Sequence, residues 1–342
     1  MKIALDATYS LGPNRSGVGV YSRQILYGLA AAHPETSFLH CYRPHRFLPS
    51  LSEVLPPNSS RRLLWKNWPG DAYLFHGLNQ RMDVRYRRAV STFHDLFVLS
   101  GDYSTPDFRG RFAAQARGAV ERSDLIIAVS EFTAGQLEHL LKVDPARIRV
   151  IRHGVRPAPR ALSQIAREPM ILFVGAIQRR KNIVRLVEAF EGVATGWKLV
   201  LAGSFGFGAE EALQRIERSP RKGDIEVPGY VTEQDLEMLY QRASVFAFPS
   251  LDEGFGMPVL DAMARGVPVL TSNVSAMPEV AGRAALLVDP ADIPSIAEGL
   301  RKLTEDAALR AEFAQKGLER SGEFSWEKAV RATWAVYQEL LH

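Results

Sequence analysis

A carboxylate stands inside a glycine loop at Asp252-Glu253-Gly254-Phe255-Gly256, directly after the apolar run Val245–Phe248 and before the helical pattern Val259, Leu260, Met263, Ala264. Proline suits the first turn of a helix, so the spacing predicts a helix that begins at Pro258. Glycines ahead of a helix N-terminus let backbone N–H groups approach a ligand, and the positive end of the helix favours an anion. In such a loop the Glu253 carboxylate can accept from the hydroxyls of a polyol. Asp261, read as lying in the first helical turn, is either a second acceptor or only a partner for the helix dipole.

A second loop carries the opposite charge. Arg179, Arg180 and Lys181 follow the apolar run Met170–Val174 and precede the helical pattern Ile183, Leu186, Val187, Phe190. Three cations at a helix N-terminus oppose the macrodipole unless an anion sits among them. A phosphate held by Lys181, Arg180 and the helix amides removes the conflict, whereas a solvated basic turn is the plainer alternative. His94-Asp95 closes another apolar run, so its imidazole either meets a ligand at a strand end or is simply buried. Gly17 and Gly19 follow the first strand in a loop that either turns toward a phosphate or allows tight packing. Gly203, Gly206 and Gly208 lack the spacing of a dinucleotide fingerprint. No metal-ligand spacing, Walker loop or nucleophile elbow is present, so no metal is expected.

These residues need a scaffold that brings strand ends together. Apolar runs of strand length at Lys2–Asp6, Ser37–Tyr42, Ala72–Phe75, Val90–His94, Leu125–Val129 and Ile148–Arg152 alternate with helical patterns. A second series follows at Met170–Val174, Trp197–Ala202, Ile225–Val227, Val245–Phe248, Val267–Leu270 and Ala285–Val288. Such alternation predicts an α/β fold of parallel sheets wound by crossover helices. Arg156–Gln164, with Pro157 and Pro159, suits a linker between two Rossmann-like units whose carboxyl ends face one cleft. A chain of 342 residues, 46% apolar, has enough material for two cores. Its 23% charged residues are ordinary for a globular protein and unlike a disordered or fibrous chain.

No window approaches the roughly 18 apolar residues of a membrane span, and Asp6 arrives too early for a secretory leader. Cys41 is the sole cysteine, so no intramolecular disulfide is available and a cytoplasmic protein is expected. Residues 1–160 carry 22 Lys and Arg against 13 Asp and Glu, and the remainder carries 20 against 25. The basic half suits a phosphate-bearing lipid surface or a phosphorylated substrate, or is only a solvated face. Arg81, Arg85, Arg87 and Arg88 lack the interleaved aromatics of a nucleic-acid reader, so no nucleic acid is expected.

The motifs Gly17-Val18-Gly19 with Tyr21, His94-Asp95, Ser130-Glu131-Phe132-Thr133, His153-Gly154-Val155, Val174-Gly175 through Lys181-Asn182, Gly229-Tyr230-Val231, and Pro249 to Gly266 with Pro278-Glu279-Val280 occur in a telling order. Together they resemble the retaining glycosyltransferases of family GT4, and by eye the bacterial O-antigen and exopolysaccharide mannosyltransferases among them. The resemblance implies a GT-B fold, two Rossmann-like domains facing an interdomain cleft. It places an acceptor-binding domain at 1–158 and a nucleotide-sugar-binding domain at 165–322, with a segment at 323–342 whose helix crosses back to the first. It further implies transfer of a hexose, mannose favoured, from a nucleotide diphosphate sugar such as GDP-mannose to a glycan or lipid-linked acceptor. The setting it implies is polysaccharide and lipopolysaccharide synthesis in the cytoplasm, with no cofactor beyond the donor and with peripheral contact between the first domain and an anionic membrane.

Matched by position, Glu253 and the backbone of Gly254, Phe255 and Gly256 contact the donor sugar, and Lys181 binds its diphosphate. His94 lies against the hexose near the reacting carbon, so His94, Glu253 and Lys181 form the catalytic set. The backbone at Tyr230 and Val231 holds the base, Gly17 joins the donor site, and Asp261 stands where relatives place a ribose-binding glutamate. Ala176 replaces a common arginine, leaving Arg180 or Arg179 to take over its phosphate contact. A nucleotide-sugar epimerase and a non-catalytic nucleotide-sugar binder are the alternatives of other classes.

Overall fold

The structure, a computed structural model, describes residues 1–12, 16–65, 71–156, 158 and 166–341. The linker expected at Arg156–Gln164 lies outside these residues except for Arg156 and Ala158, as does position 165, the expected start of the second domain. The chain divides into two compact units, Met1–Gly154 with Ser325–His342, and Val155–Phe324.

The first unit opens with β1 (Lys2–Asp6), α1 (Gly17–Ala32), β2 (Ser37–Tyr42), α2 (Pro44–Ser50) and β3 (Ser59–Leu63). It continues through β4 (Leu74–Gly77), β5 (Ala89–Phe93), α3 (Phe97–Ser100), α4 (Pro106–Arg122), β6 (Leu125–Ala128), α5 (Glu131–Leu141) and β7 (Ile148–Val150). Its strands pair in the order β3-β2-β1-β4-β5-β6-β7, all parallel. Buried on both faces, parallel strands read as unbroken apolar runs, which is why β1, β2 and β6 are visible in the sequence. β3 is different: its sequence is Ser-Ser-Arg-Arg-Leu, it is the edge of the sheet, and most of it is exposed. An edge strand needs no apolar pattern, so the periodicity does not reveal it.

The helices start where polar caps precede apolar faces. Ser16 accepts from Gly19 N to cap α1, Thr105 from Phe108 N to cap α4, and Ser130 from Thr133 N to cap α5. Gly17 is therefore the first residue of a helix, so the loop expected at Gly17 and Gly19 is corrected to the first turn of α1. The glycine with a packing role in α1 is Gly28: a Cβ there would lie 2.5 Å from Val330 Cγ2.

The second unit contains β8 (Glu168–Val174), α6 (Ile183–Phe190), β9 (Lys198–Ala202), α7 (Ala209–Glu217), β10 (Ile225–Gly229), α8 (Glu233–Arg242) and β11 (Ala243–Phe248). There follow α9 (Met257–Ala264), β12 (Val269–Ser272), α10 (Met277–Ala281), β13 (Ala285–Val288), α11 (Ile293–Glu305) and α12 (Ala307–Ser321). The strands pair in the order β10-β9-β8-β11-β12-β13, again all parallel. Strand order reverses direction between β8 and β11, and between β1 and β4 in the first sheet. Crevices at such switch points are where open α/β sheets bind ligands. Finally α13 (Trp326–Leu341) belongs to the first unit, where Trp326, Ala329, Val330, Val336 and Tyr337 share a core with α1 and β1.

That core holds four buried histidines, His40, His76, His94 and His153. His76 hydrogen-bonds Tyr337 Oη at 2.6 Å and Thr92 Oγ1 at 2.9 Å, and Thr92 Oγ1 in turn meets Tyr21 Oη at 2.9 Å. Burial disfavours the charged rings: it pushes His76 down to about 3, His40 and His94 to about 4, and His153 well below its usual range. Below the ordinary value of 6.5 the unfolded chain binds protons that the folded chain refuses. Stability should accordingly fall as pH drops from about 6.5 toward 4, by up to about 1.4 kcal/mol per pH unit for each ring. Urea midpoints of the whole chain should be clearly lower at pH 5 than at pH 7. A flat profile across that interval would contradict neutral burial of these rings.

Candidate functional site

Both chemical loops of the sequence flank the switch point of the second sheet. The basic loop leaves β8 at Gly175, and the acidic glycine loop leaves β11 at Pro249, the adjacent strand. Arg179–Lys181 form one turn of 3-10 helix, and Asn182, with φ of 63°, separates that turn from α6. Its Nδ2 donates to Pro249 O at 3.0 Å and Pro290 O at 2.7 Å, tying the basic loop to the acidic one and to the segment after β13. Leu251 N donates to Arg180 O at 2.8 Å, adding a backbone tie between the loops. Asparagine tolerates this left-handed conformation better than most residues, a role that the sequence reading did not assign to it.

The two loops put opposite charges together. Glu253 Oε1 accepts from Lys181 Nζ and lies 2.8 Å from Arg180 Nη1, with all three side chains nearly withdrawn from solvent. Lys181 Nζ also sits 4.4 Å from the centre of the Phe248 ring, and Arg180 Nη1 donates to Asp252 O at 2.8 Å. Burial would raise the Glu253 carboxyl, but Arg180 and Lys181 outweigh it and hold the group down to about 2. The anion that the basic turn demands is thus supplied, within the chain, by a carboxylate 72 residues away. Arg179 turns elsewhere: it pairs with Glu211 of α7 and lies over the Phe207 ring. Of the two arginines considered for phosphate contact, Arg180 stands beside Lys181.

Gly254 and Phe255 are buried, and Phe255 packs edge-on against Phe324 at 5.9 Å. Gly256 caps α9 with φ of 98°, a backbone conformation that calls for glycine, and a Cβ there would also push aside the flexible end of Met277, whose Cε would lie 2.4 Å away. The helix begins at Met257, with Pro258 second. Asp261 is its fifth residue, which corrects the first-turn assignment and removes the dipole reading. Its carboxylate lies 3.6 Å from Arg265 Nη1, and Arg265 is gripped by Glu237 of α8 at 2.6 Å. Burial raises the Asp261 carboxyl, while Arg265 and Arg156 pull it down.

His94 follows β5 in the first unit. Its Nε2 donates to Leu78 O at 2.9 Å, which fixes the tautomer because a carbonyl only accepts. Tyr21, one turn into α1 from Gly17, meets the His94 ring edge-on at 4.7 Å, and His153 stacks on it at 5.4 Å. At the end of β1, Asp6 is buried, accepts from Thr8 N at 3.0 Å and faces Arg43 at 3.5 Å. Burial raises this carboxyl and Arg43 lowers it. In the sequence Asp6 reads as the polar end of a strand; its place beside the switch point emerges only from strand order. Among the described residues no group of three or more His, Cys, Asp or Glu is arranged to hold a metal.

Residues 15–158 match the family model described as Glycosyltransferase Family 4, and residues 157–320 match Glycosyl transferases group 1. The chain is 32% identical over 308 residues to O-antigen chain mannosyltransferase B of Escherichia coli, covering 85% of this chain and 81% of that protein. It belongs to glycosyltransferase family 4. The fold of this glycosyltransferase is GT-B. It superposes on sucrose-phosphate synthase from Thermosynechococcus elongatus with a TM-score of 0.80 at 21% identity, over 99% of both chains. Anabaena HepE, solved with UDP and glucose, gives 0.76 at 16% identity over 99% of this chain and 100% of that one.

For the glycosyltransferase, then, the expected donor residues fall into three places. Lys181, Arg180, Glu253, Gly254, Phe255 and Gly256 converge at the β8/β11 switch point, with Asp261 one helical turn beyond. Tyr230 and Val231 follow β10, two strands from β8 at the edge of the same sheet, where Tyr230 is exposed. His94 and Gly17 belong to the first unit.

Proposed function

We propose that this glycosyltransferase moves mannose, with retention, from a nucleotide diphosphate sugar such as GDP-mannose to a glycan or lipid-linked acceptor in cell-surface polysaccharide synthesis. The observation that carries the reading is the buried Arg180–Lys181–Glu253 cluster at the switch point of the second sheet. Likeness to an O-antigen mannosyltransferase supports mannose, and HepE with UDP and glucose supports a nucleotide-sugar donor at a site of this fold. Family membership favours transfer over an epimerase or a binding protein without turnover.

In this reading the diphosphate comes to Arg180 and Lys181, and Glu253 exchanges part of its ion pair for hydroxyls of the donor sugar. The two cations supply the positive charge that steadies the departing diphosphate, so no metal is required for that role. Asp261 reaches the ribose, the backbone at Tyr230 and Val231 holds the base, and His94 lies against the hexose. The acceptor hydroxyl forms the new bond to the anomeric carbon as the bond to the diphosphate breaks. Its proton passes to the diphosphate oxygen on the same face. Glu253 serves as a hydroxyl ligand and forms no covalent sugar adduct, unlike the nucleophile of a retaining glycosidase.

A panel of nucleotide sugars, assayed in excess EDTA against mannose-terminated oligosaccharide acceptors, tests this. Transfer should be greatest with GDP-mannose, and proton NMR of the earliest product should show the donor's anomeric configuration. An inverted product, a sugar attached to Glu253 by mass spectrometry, or activity that appears only when a divalent metal is restored would overturn the mechanism.

A further inference from the structure

A row of polar side chains crosses the apolar face of the first sheet that packs against α1 and α13. Leu74 and Leu78 of the β4 segment and Val90 of β5 belong to the core shared with those helices. Alternation places His76, Thr92 and then His94 on the same face. Tyr337 Oη lies 2.6 Å from His76 Nδ1, and Thr92 Oγ1 lies 2.9 Å from both His76 Nε2 and Tyr21 Oη. A neutral imidazole has one N–H and one lone pair, and a threonine hydroxyl has one proton and two lone pairs, so all three contacts can be hydrogen bonds together. Exchanging both members of a buried hydrogen bond for apolar groups of the same shape is nearly neutral, so the core does not need these polar atoms to fold. A fully bonded chain supplies direction instead, because it fixes where each ring points.

The row has an enclosed end and an open one. Tyr337, His76, Thr92 and Tyr21 are wholly buried, whereas His94 keeps 8% of its surface. Tyr21 meets His94 through its ring, at 4.7 Å between centroids and 78° between planes, and meets Thr92 through its hydroxyl. Thr92 and His94 stand two residues apart on one extended segment, so Tyr21 braces the imidazole against the strand that carries it. His153 covers the same imidazole at 5.4 Å, and Tyr21 lies 4.9 Å from His153 as well. With Nε2–H held by Leu78 O, the Nδ1 of His94 is an acceptor whose aim follows the tilt of the ring.

We propose that Tyr21 is a positioning residue for transfer: the chain Tyr337–His76–Thr92 sets the Tyr21 ring, and that ring sets the angle at which His94 meets the donor hexose. This rests on the place given to His94 in the proposed function and adds to it residues that touch no substrate. Wholly buried side chains at the far end of the row thereby act on the one imidazole that reaches the surface.

A double-mutant cycle on the whole chain tests it, with kcat and the KM for GDP-mannose read separately. Tyr21→Phe keeps the ring and loses its tie, so kcat should fall about three- to tenfold, the equivalent of one neutral hydrogen bond, while KM changes less than about twofold. Thr92→Val removes the junction of the chain and should lower kcat at least as far; Tyr337→Phe, two links away, should lower it less. In a His94→Ala background Tyr21→Phe should have no further effect on the residual kcat, because the group it orients is gone. Nitrogen NMR of the imidazoles carries the same comparison without turnover: the His94 Nε2–H signal should move in Tyr21→Phe and in Thr92→Val. Lower melting with kcat unchanged, an equal loss in both backgrounds, or an unmoved His94 signal would make Tyr21 a packing residue and overturn the proposal. Parent-like transfer by His94→Ala would instead remove His94 from the donor site, and the positioning role with it.

Discussion

Glu253→Ala should destabilise the second unit by about 3–5 kcal/mol and abolish transfer. The size follows from what is left behind: Arg180 and Lys181 would stay buried without their carboxylate, and breaking a buried pair by removing one partner costs that much. The sign with pH is clear as well. The Glu253 carboxyl is held down to about 2, below its ordinary 4.5, so its contribution is fully present above 4.5 and is lost as pH falls through 2. The difference between parent and variant should therefore be constant between pH 5 and 8. A nucleoside diphosphate supplies the missing anion, so it should raise the melting temperature of the variant more than that of the parent. Glu253→Gln keeps one carbonyl acceptor and should retain weak transfer with unchanged anomeric outcome. Parent-like melting of Glu253→Ala, or an equal response of both proteins to the diphosphate, would show that the cations do not depend on Glu253.

Lys181→Ala should weaken nucleoside diphosphate binding by about 1.5–3 kcal/mol, the range for a hydrogen bond to a charged group, which is roughly tenfold to more than a hundredfold. Binding of the free nucleoside should change much less, because Lys181 adjoins the charged part of the site and not the base. The variant keeps the Arg180–Glu253 pair at 2.8 Å, so its fold should survive where that of Glu253→Ala suffers. Calorimetric titration with both ligands separates the cases. Equal losses for nucleoside and diphosphate would remove Lys181 from the phosphate site.

What the sequence reveals here divides by range. Strands buried on both faces, such as Ser37–Tyr42 and Leu125–Ala128, are legible because parallel sheets demand unbroken apolar runs. β3 is hidden because an edge strand of serines and arginines satisfies no such demand. The glycine loop before α9 and the basic turn before α6 are each legible as places for chemistry, since both combine a strand end with a helix start. Their pairing is not. Spacing carries no information about which carboxylate, 72 residues away, answers Lys181, and an external phosphate meets the same electrostatic need. Likewise nothing local distinguishes Arg179 from Arg180; the partner on α7 does so only once α7 has been folded beside the turn. Gly17 misled for the opposite reason, since glycines near a strand end invite a loop reading even where a serine one residue earlier caps a helix.

The position of α13 has a bearing on how the chain is made. The second unit is continuous in sequence, but the core of the first needs Trp326, Val330 and Tyr337, which follow it. On the ribosome, every residue of the second unit is therefore synthesised while the first still lacks its final helix. Throughout that interval the notch at Gly28, the Tyr21 side of α1 and the His76 imidazole await partners that have not yet been translated. The nascent first unit remains a sticky, incomplete intermediate until translation has passed residue 337, and the later half of the molecule can reach its native state before the earlier half.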